Sequence, residues 1–211
     1  AVEKVADTFK MVYTPFHGHR LQAHPRGPAP PGHEARHLCP RADGHRRQFP
    51  HRDLPQPGEP GGFYLAVDLA KKEGADFILG SDPDADRVGI MVRTSDGEFK
   101  VLTGNQTGVL LLDYLIGAKQ RTGKMPANPV ALKTIVTTEM ARKVAETNGL
   151  KATTPLPASS SWRRRRTRLE NAGEGKVIFA YEESCAYMLG DYVRGQGLPV
   201  TRRPVPHRDG R

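Results

Sequence analysis

The chain has 211 residues, of which 37% are hydrophobic and 26% are charged, and its formal net charge is +9. This length and composition are typical of one or two globular domains with packed cores, and no apolar run approaches the length of a membrane span, so we expect a cytoplasmic protein without a membrane partner. The two cysteines are too few and too far apart in the sequence to indicate a disulfide framework or a zinc site.

The positive charge is concentrated in three segments, residues 19–61, 152–168 and 195–211. These segments are rich in arginine and proline and contain no lysine, whereas every lysine of the chain lies outside them. They could be disordered basic linkers, or they could be out-of-frame translations of a GC-rich coding sequence. Shifting the reading frame through permitted codons yields an amphipathic pattern, which favours the second interpretation. Either way, we predict irregular structure in all three segments, and mobility in the first and the last.

Outside these segments the first half of the chain alternates strand and helix patterns. "FKMVYTP" predicts a short strand, and "FYLAVDLAKKEG" predicts an amphipathic helix that ends at Gly74. The apolar run Ala75–Leu79 predicts a buried strand. "RVGIMVRTSDGEFKVL" predicts a hairpin that turns at Asp96 and Gly97.

The second half continues the alternation. "TGNQTGVLLLDYLIGAKQ" predicts a loop that leads into a helix, "VALKTIVTT" a strand, and "EMARKVAETNGL" a helix that ends near Gly149. "GKVIFAYEES" predicts a strand that runs into a loop. Because strands and helices alternate, the fold class is α/β, with parallel or mixed sheets and helices on their faces.

An acidic loop, "SDPDADR", follows the first buried strand. Its three carboxylates, Asp82, Asp84 and Asp86, cannot all stay charged at this spacing without a partner. A hard divalent cation would supply one, since alternate positions of a tight loop can direct three oxygens at one point. A calcium EF-hand loop is excluded because it needs Gly where Arg87 stands and Glu where Arg93 stands. The alternative to a metal site is a solvated acidic turn.

Four motifs in order resemble the α-D-phosphohexomutase family, which comprises phosphoglucomutases and phosphomannomutases. They are "YTPFHG", "GSDPDADRVGI", "LTGNQTG" and "FAYEESCAYMLGDYVR". Their order and spacing are similar to the second and third domains of that family. The resemblance implies a metal-binding domain over residues 1–100 and a sugar-recognition domain over residues 101–211. The implied fold class is two incomplete three-layer α/β/α domains with mixed sheets, plus irregular Pro/Arg-rich segments.

The resemblance also implies a reaction and a cofactor. The family transfers phosphate between O1 and O6 of a hexose through a phosphoserine and a hexose bisphosphate. By position, Mg²⁺ would be held by Asp82, Asp84 and Asp86, and Arg87 would pair with the phosphoryl group.

Other implied site residues lie in two further loops. Glu182 and Ser184 would bind the hydroxyls of the hexose, although they could instead form a solvated strand end. His17 would lie near the catalytic centre, or could be a structural turn residue.

Because the family's catalytic serine lies in a first domain that this sequence does not contain, the resemblance implies that the chain alone is an inactive fragment. Two alternatives from other classes remain. The arginine runs could make it a basic nucleic-acid-binding protein, which we do not favour because the charge lies in the anomalous segments without interleaved aromatic residues. It could also be a catalytically dead scaffold fragment with disordered segments.

Overall fold

Two mixed β-sheets with helices packed on them form the part of the chain that the computed structural model describes. This part comprises residues 9–16, 36–38, 58, 60–82, 86–154 and 162–189. Each sheet contains parallel neighbours and an antiparallel edge strand. The predicted α/β class with mixed sheets is therefore confirmed. No helix in the described ranges is long and apolar enough to cross a membrane.

The first sheet has the order β2-β1-β3-β4-β5. Strand β1 pairs in parallel with β2 and with β3. Strand β4 is antiparallel to β3, and β5, at the edge of the sheet, is antiparallel to β4. The strands are β1 (Met11–Thr14), β2 (Arg36–Leu38), β3 (Phe77–Ser81), β4 (Val88–Arg93) and β5 (Phe99–Leu102). The predicted strand over Ala75–Leu79 thus lies two residues further along the chain, and its carboxyl end leads directly into the acidic loop.

Helix α1 (Tyr64–Glu73) covers one face of this sheet through Ala66 and Ala70, both fully buried. It ends as predicted at Gly74, whose φ of 64° is left-handed and therefore suits glycine. A 3₁₀ turn, Pro60–Phe63, precedes the helix. The predicted hairpin is also confirmed, with β4 and β5 joined by a turn at Gly97.

The second sheet has the order β7-β6-β8-β9, in which β6 pairs in parallel with β7 and β8, and β9 is antiparallel to β8. The strands are β6 (Pro129–Lys133), β7 (Lys151–Thr153), β8 (Lys176–Tyr181) and β9 (Tyr187–Leu189). Three helices accompany them, α2 (Gly104–Arg121), α3 (Glu139–Thr147) and α4 (Trp162–Asn171).

Helix α2 begins at a capping box. The Thr103 hydroxyl accepts from the backbone N–H of Gln106, and the Gln106 side chain accepts from the backbone N–H of Thr103. The helix packs closely on β8, since a Cβ atom added to Gly108 would lie 2.2 Å from the Tyr181 ring.

The structure corrects the prediction of irregular structure in the arginine-rich segments at four places. Two of them are short, since Ala152 and Thr153 belong to strand β7 and Pro60 and Gly61 belong to the 3₁₀ turn. Residues 162–168 belong to helix α4, because arginine is a good helix former and no glycine or proline interrupts this run. The helix packs on the second sheet through Leu169, which is 2% exposed. Within residues 19–61, Arg36–Leu38 forms strand β2, which supplies backbone hydrogen bonds to β1. The segment 195–211 lies outside the described residues.

Candidate active site

The acidic loop begins at the carboxyl end of β3, where Ser81 and Asp82 are 2% and 7% exposed. The Asp82 carboxylate (Oδ1) accepts a hydrogen bond from the backbone N–H of Arg87 at 3.0 Å. This bond joins the first and last residues of the loop and so brings its two ends together. The Asp86 carboxylate lies 3.9 Å from the Arg87 guanidinium, and both side chains are about one third exposed. Two of the three predicted metal ligands thus share one closed loop with Arg87.

The third predicted ligand, Asp84, and the predicted catalytic residue His17 lie outside the described residues. In the ranges that the structure describes, no three His, Cys, Asp or Glu side chains form a metal-binding group. The donor set that is described, Asp82 and Asp86, consists of carboxylate oxygens, which are the ligands that Mg²⁺ prefers. The described part of the loop is therefore chemically suited to Mg²⁺ and contains two of the three ligands expected.

The second candidate loop connects β8 to β9 and brings the predicted sugar-binding residues together. The Ser184 hydroxyl donates to the Glu182 carboxylate (Oε2) at 3.2 Å. The backbone N–H of Glu182 donates to the carbonyl of Ala186 at 2.9 Å, which closes the turn. Cys185, in the middle of the turn, has a left-handed φ of 70°. The pair Glu182 and Ser184 therefore presents a carboxylate and a hydroxyl from one tight loop.

The two loops are linked by a backbone hydrogen bond. The N–H of Val88, the residue after Arg87, donates to the carbonyl oxygen of Cys185 at 3.1 Å. Cys185 is 3% exposed, and burial is the main reason that the pKa of its thiol is raised. Nearby Asp82 raises that pKa further, whereas nearby Arg87 lowers it. The acidic loop after β3 and the loop between β8 and β9 are thus immediate neighbours.

A third loop, between β6 and α3, supports the second. The Thr134 hydroxyl donates to the Glu183 carboxylate (Oε2) at 3.0 Å. The ammonium of Lys133 is buried and donates to the carbonyls of Thr134 and Thr137 at 3.2 and 2.8 Å. It also forms an ion pair with Glu139 at 2.9 Å, and this hydrogen bond is the main reason that the pKa of the Glu139 carboxyl is lowered.

This third loop is also attached to α2. The side-chain carbonyl of Asn105 accepts from the backbone N–H of Thr138 at 3.0 Å. Sequence reasoning identified neither Lys133 nor Thr134 as part of the site. One signal was available, since a lysine that ends the apolar run "VALK" must find acceptors when the strand is buried.

Comparisons with known proteins found similar sequences and structures. Residues 2–97 match the model of a family described as phosphoglucomutase/phosphomannomutase, alpha/beta/alpha domain II. The chain is 34% identical over 132 residues to a phosphoglucomutase of Staphylococcus aureus strain N315, an alignment that covers 63% of this chain and 23% of the relative. It is 30% identical over 197 residues to a probable phosphoribomutase of Schizosaccharomyces pombe, which covers 89% of this chain and 32% of the relative.

Solved structures show the same fold. A phosphoglucomutase/phosphomannomutase family protein from Burkholderia thailandensis superposes with a TM-score of 0.58 at 16% identity, covering 93% of this chain and 40% of that one. The chain therefore spans between about a quarter and two fifths of the length of the proteins to which it is similar.

Proposed function

We propose that the chain belongs to the phosphoglucomutase and phosphomannomutase family and that it is the metal-binding and sugar-recognition part of a phosphohexomutase. The proposed substrates are hexose 1-phosphates and 6-phosphates of glucose, mannose or both, with a hexose bisphosphate as intermediate. Because the chain spans less than half of its relatives' length, the complete reaction would need parts of the protein beyond these residues. In this proposal nucleic acid is not a partner.

The observation that carries the proposal is the hydrogen bond between Val88 and Cys185. A phosphohexomutase must bind a phosphoryl group and the hydroxyls of one sugar at the same time. In this structure a loop suited to the first task touches a loop suited to the second. A single hexose phosphate could therefore contact both loops.

In the acidic loop, Asp82, Asp84 and Asp86 would hold Mg²⁺. When bound, Mg²⁺ would neutralise charge on the phosphoryl oxygens. Arg87 would pair with the phosphoryl group, since a guanidinium can donate two parallel hydrogen bonds to its oxygens. The hydrogen bond from the Arg87 backbone to Asp82 supports this division of roles, because it holds the arginine at the end of the same loop.

In the loop between β8 and β9, Glu182 would accept hydrogen bonds from two neighbouring hydroxyls of the hexose. Ser184 donates to Glu182 in the structure, so it already orients the carboxylate. The Glu183 carboxylate accepts a hydrogen bond from the Thr134 hydroxyl, so its role in this proposal is to support the loop. This assigns sugar recognition to the first of the two adjacent glutamates and support of the loop to the second.

Mg²⁺ titration of the chain, followed by isothermal calorimetry, tests the metal assignment. Asp84→Asn and Asp82→Asn should each weaken Mg²⁺ binding at least tenfold, since each removes a charged ligand. Asp113→Asn is the matched control, because Asp113 is an exposed carboxylate on α2 far along the chain from the acidic loop. If the three variants bind Mg²⁺ as the unsubstituted chain does, or if that chain binds none, the metal assignment is wrong.

A further inference from the structure

The start of α2 lies directly against the backbone of the loop that carries Glu182 and Ser184. A Cβ atom added to Gly104 would lie 2.0 Å from the carbonyl oxygen of Glu183 and 2.9 Å from the backbone nitrogen of Cys185. Both neighbours are backbone atoms, so no side-chain rotation could relieve the overlap. Only glycine allows the helix and the loop to approach this closely.

Two further contacts fix this approach from each side. On the helix side, the capping box between Thr103 and Gln106 holds the first turn in place. On the loop side, the buried hydroxyl of Tyr187 donates to the carbonyl of Gly104 at 3.4 Å. The Glu182–Ala186 loop therefore packs on the first turn of α2, which its own hydrogen bonds hold in place.

We propose that Gly104 is a positioning residue that sets where the Glu182–Ala186 loop lies relative to the acidic loop. The effect passes through Cys185, whose carbonyl accepts from Val88 at the end of the acidic loop. A larger residue at position 104 would push the loop away from α2 and strain that bond. The consequence for sugar binding rests on the function proposed above, whereas the consequence for loop order does not.

Gly108 and Gly117, in the same helix, do not lie against the backbone of this loop. A Cβ on Gly108 would meet the ring of Tyr181, which belongs to the core and not to the loop. A Cβ on Gly117 would meet only the end of the Arg121 side chain, at 3.0 Å, which can move aside. Gly117→Ala is therefore a matched control for Gly104→Ala in the same helix.

Amide hydrogen exchange of the ¹⁵N-labelled chain, followed by NMR, tests the proposal. Gly104→Ala should accelerate exchange at the amides of Glu182, Cys185 and Val88 by about tenfold or more, the factor expected when such a hydrogen bond is weakened. The amide of Ile78 in β3 serves as an internal reference for global stability. Gly117→Ala should not accelerate exchange at any of the four amides.

Equal acceleration at Ile78 and at the loop amides would overturn the proposal, because it would show loss of global stability alone. Unchanged loop amides in Gly104→Ala would overturn it as well. If Gly104→Ala does not fold, Tyr187→Phe decides, since it removes one contact with Gly104 without adding atoms. It should accelerate the same three amides, and unchanged amides in that variant would contradict the proposal.

Titration with glucose 1-phosphate in the presence of Mg²⁺ separates this proposal from the one on which it rests. Weaker binding by Gly104→Ala than by Gly117→Ala would support both. If the unsubstituted chain bound neither glucose 1-phosphate nor mannose 1-phosphate, the proposed function would fail, and the exchange data would still decide whether Gly104 positions the loop.

Discussion

The backbone N–H of Val88 donates to the carbonyl oxygen of Cys185, across 3.1 Å and between two separate sheets. Val88 begins β4 immediately after the acidic loop, and Cys185 lies in the turn between β8 and β9. Because both residues are at least nine-tenths buried, this bond is shielded from water and holds the two loops in a fixed relation. The candidate site is therefore organised by backbone contacts that no pattern of side chains encodes.

The contact between α2 and β8 should not tolerate a methyl group at position 108. A Cβ on Gly108 would lie 2.2 Å from the Tyr181 ring, so Gly108→Ala should lower the free energy of unfolding by about 1–3 kcal/mol through overpacking. Gly117→Ala in the same helix should raise it by up to about 1 kcal/mol, the gain in helix propensity. Urea denaturation followed by circular dichroism measures both, and equal effects of the two variants would contradict the packing described.

The arginine-rich helix should contribute to stability through its one buried leucine. Leu169 packs in a core cluster with Val130, Leu132 and Val177. Leu169→Ala should therefore cost about 2–5 kcal/mol in the free energy of unfolding. The exposed neighbour Thr167 provides the control, since Thr167→Ala should change it by no more than about 0.5 kcal/mol. A Leu169→Ala effect as small as that of the control would show that α4 does not pack on the sheet.

The buried ammonium of Lys133 should be important for the loop between β6 and α3. Lys133→Met removes the donor to the carbonyls of Thr134 and Thr137, so it should cost about 1–3 kcal/mol in the free energy of unfolding. Lys143→Met, at an exposed position of α3, should cost no more than about 0.5 kcal/mol. The comparison is made by chemical denaturation at neutral pH, and similar small losses for both variants would refute the role of Lys133.

The hydroxyl of Tyr181 should make the fold sensitive to alkali. This group is buried without a hydrogen-bond partner among the described residues, and burial raises its pKa from 10.0 to about 12. Below pH 10 the phenol is neutral in both folded and unfolded chains. Between about pH 10 and 12 it ionises only in the unfolded chain, so the free energy of unfolding falls as the pH rises.

Tyr181→Phe removes both the buried hydroxyl, which has no partner in the described part of the chain, and its ionisation at high pH. The variant should be at least as stable as the unsubstituted chain at neutral pH, since no unpaired hydroxyl is buried. It should also lose less stability by about pH 11. Urea denaturation at both pH values measures the difference, and parallel losses in the two proteins would count against the pKa assigned to Tyr181.

Much of the fold was predictable because local patterns and tertiary packing agree. Helix α1 ends at Gly74, and the hairpin turns at Gly97, as their sequences indicate. The prediction for the arginine run of α4 was wrong because it relied on the composition of the segment. It gave too little weight to the helix propensity of arginine and to the apolar residue Leu169. The short strand β2 was missed because three residues carry no periodicity, and its pairing with β1 is a tertiary event.

The candidate site was predictable only in part. Asp82 stood out because it lies in an acidic loop after an apolar strand, whereas Arg87, Glu182 and Ser184 were indicated by the resemblance to the family motifs. The structure joins Asp82 to Arg87, and Glu182 to Ser184, by hydrogen bonds. The support from Gly104 could not be read from sequence, because a glycine at the start of a helix carries no sign of the backbone that will lie against it. The contact arises only when the loop between β8 and β9 returns to α2.

The central claim is that the acidic loop and the loop of Glu182 form one site for a hexose phosphate. An NMR titration of the ¹⁵N-labelled chain with glucose 1-phosphate, at saturating Mg²⁺, tests it most directly. We expect the amide signals of Arg87, Val88, Glu182 and Cys185 to shift together and to saturate with a single dissociation constant. Shifts confined to the arginines of α4, or shifts in the two loops that saturate at different concentrations, would contradict the claim.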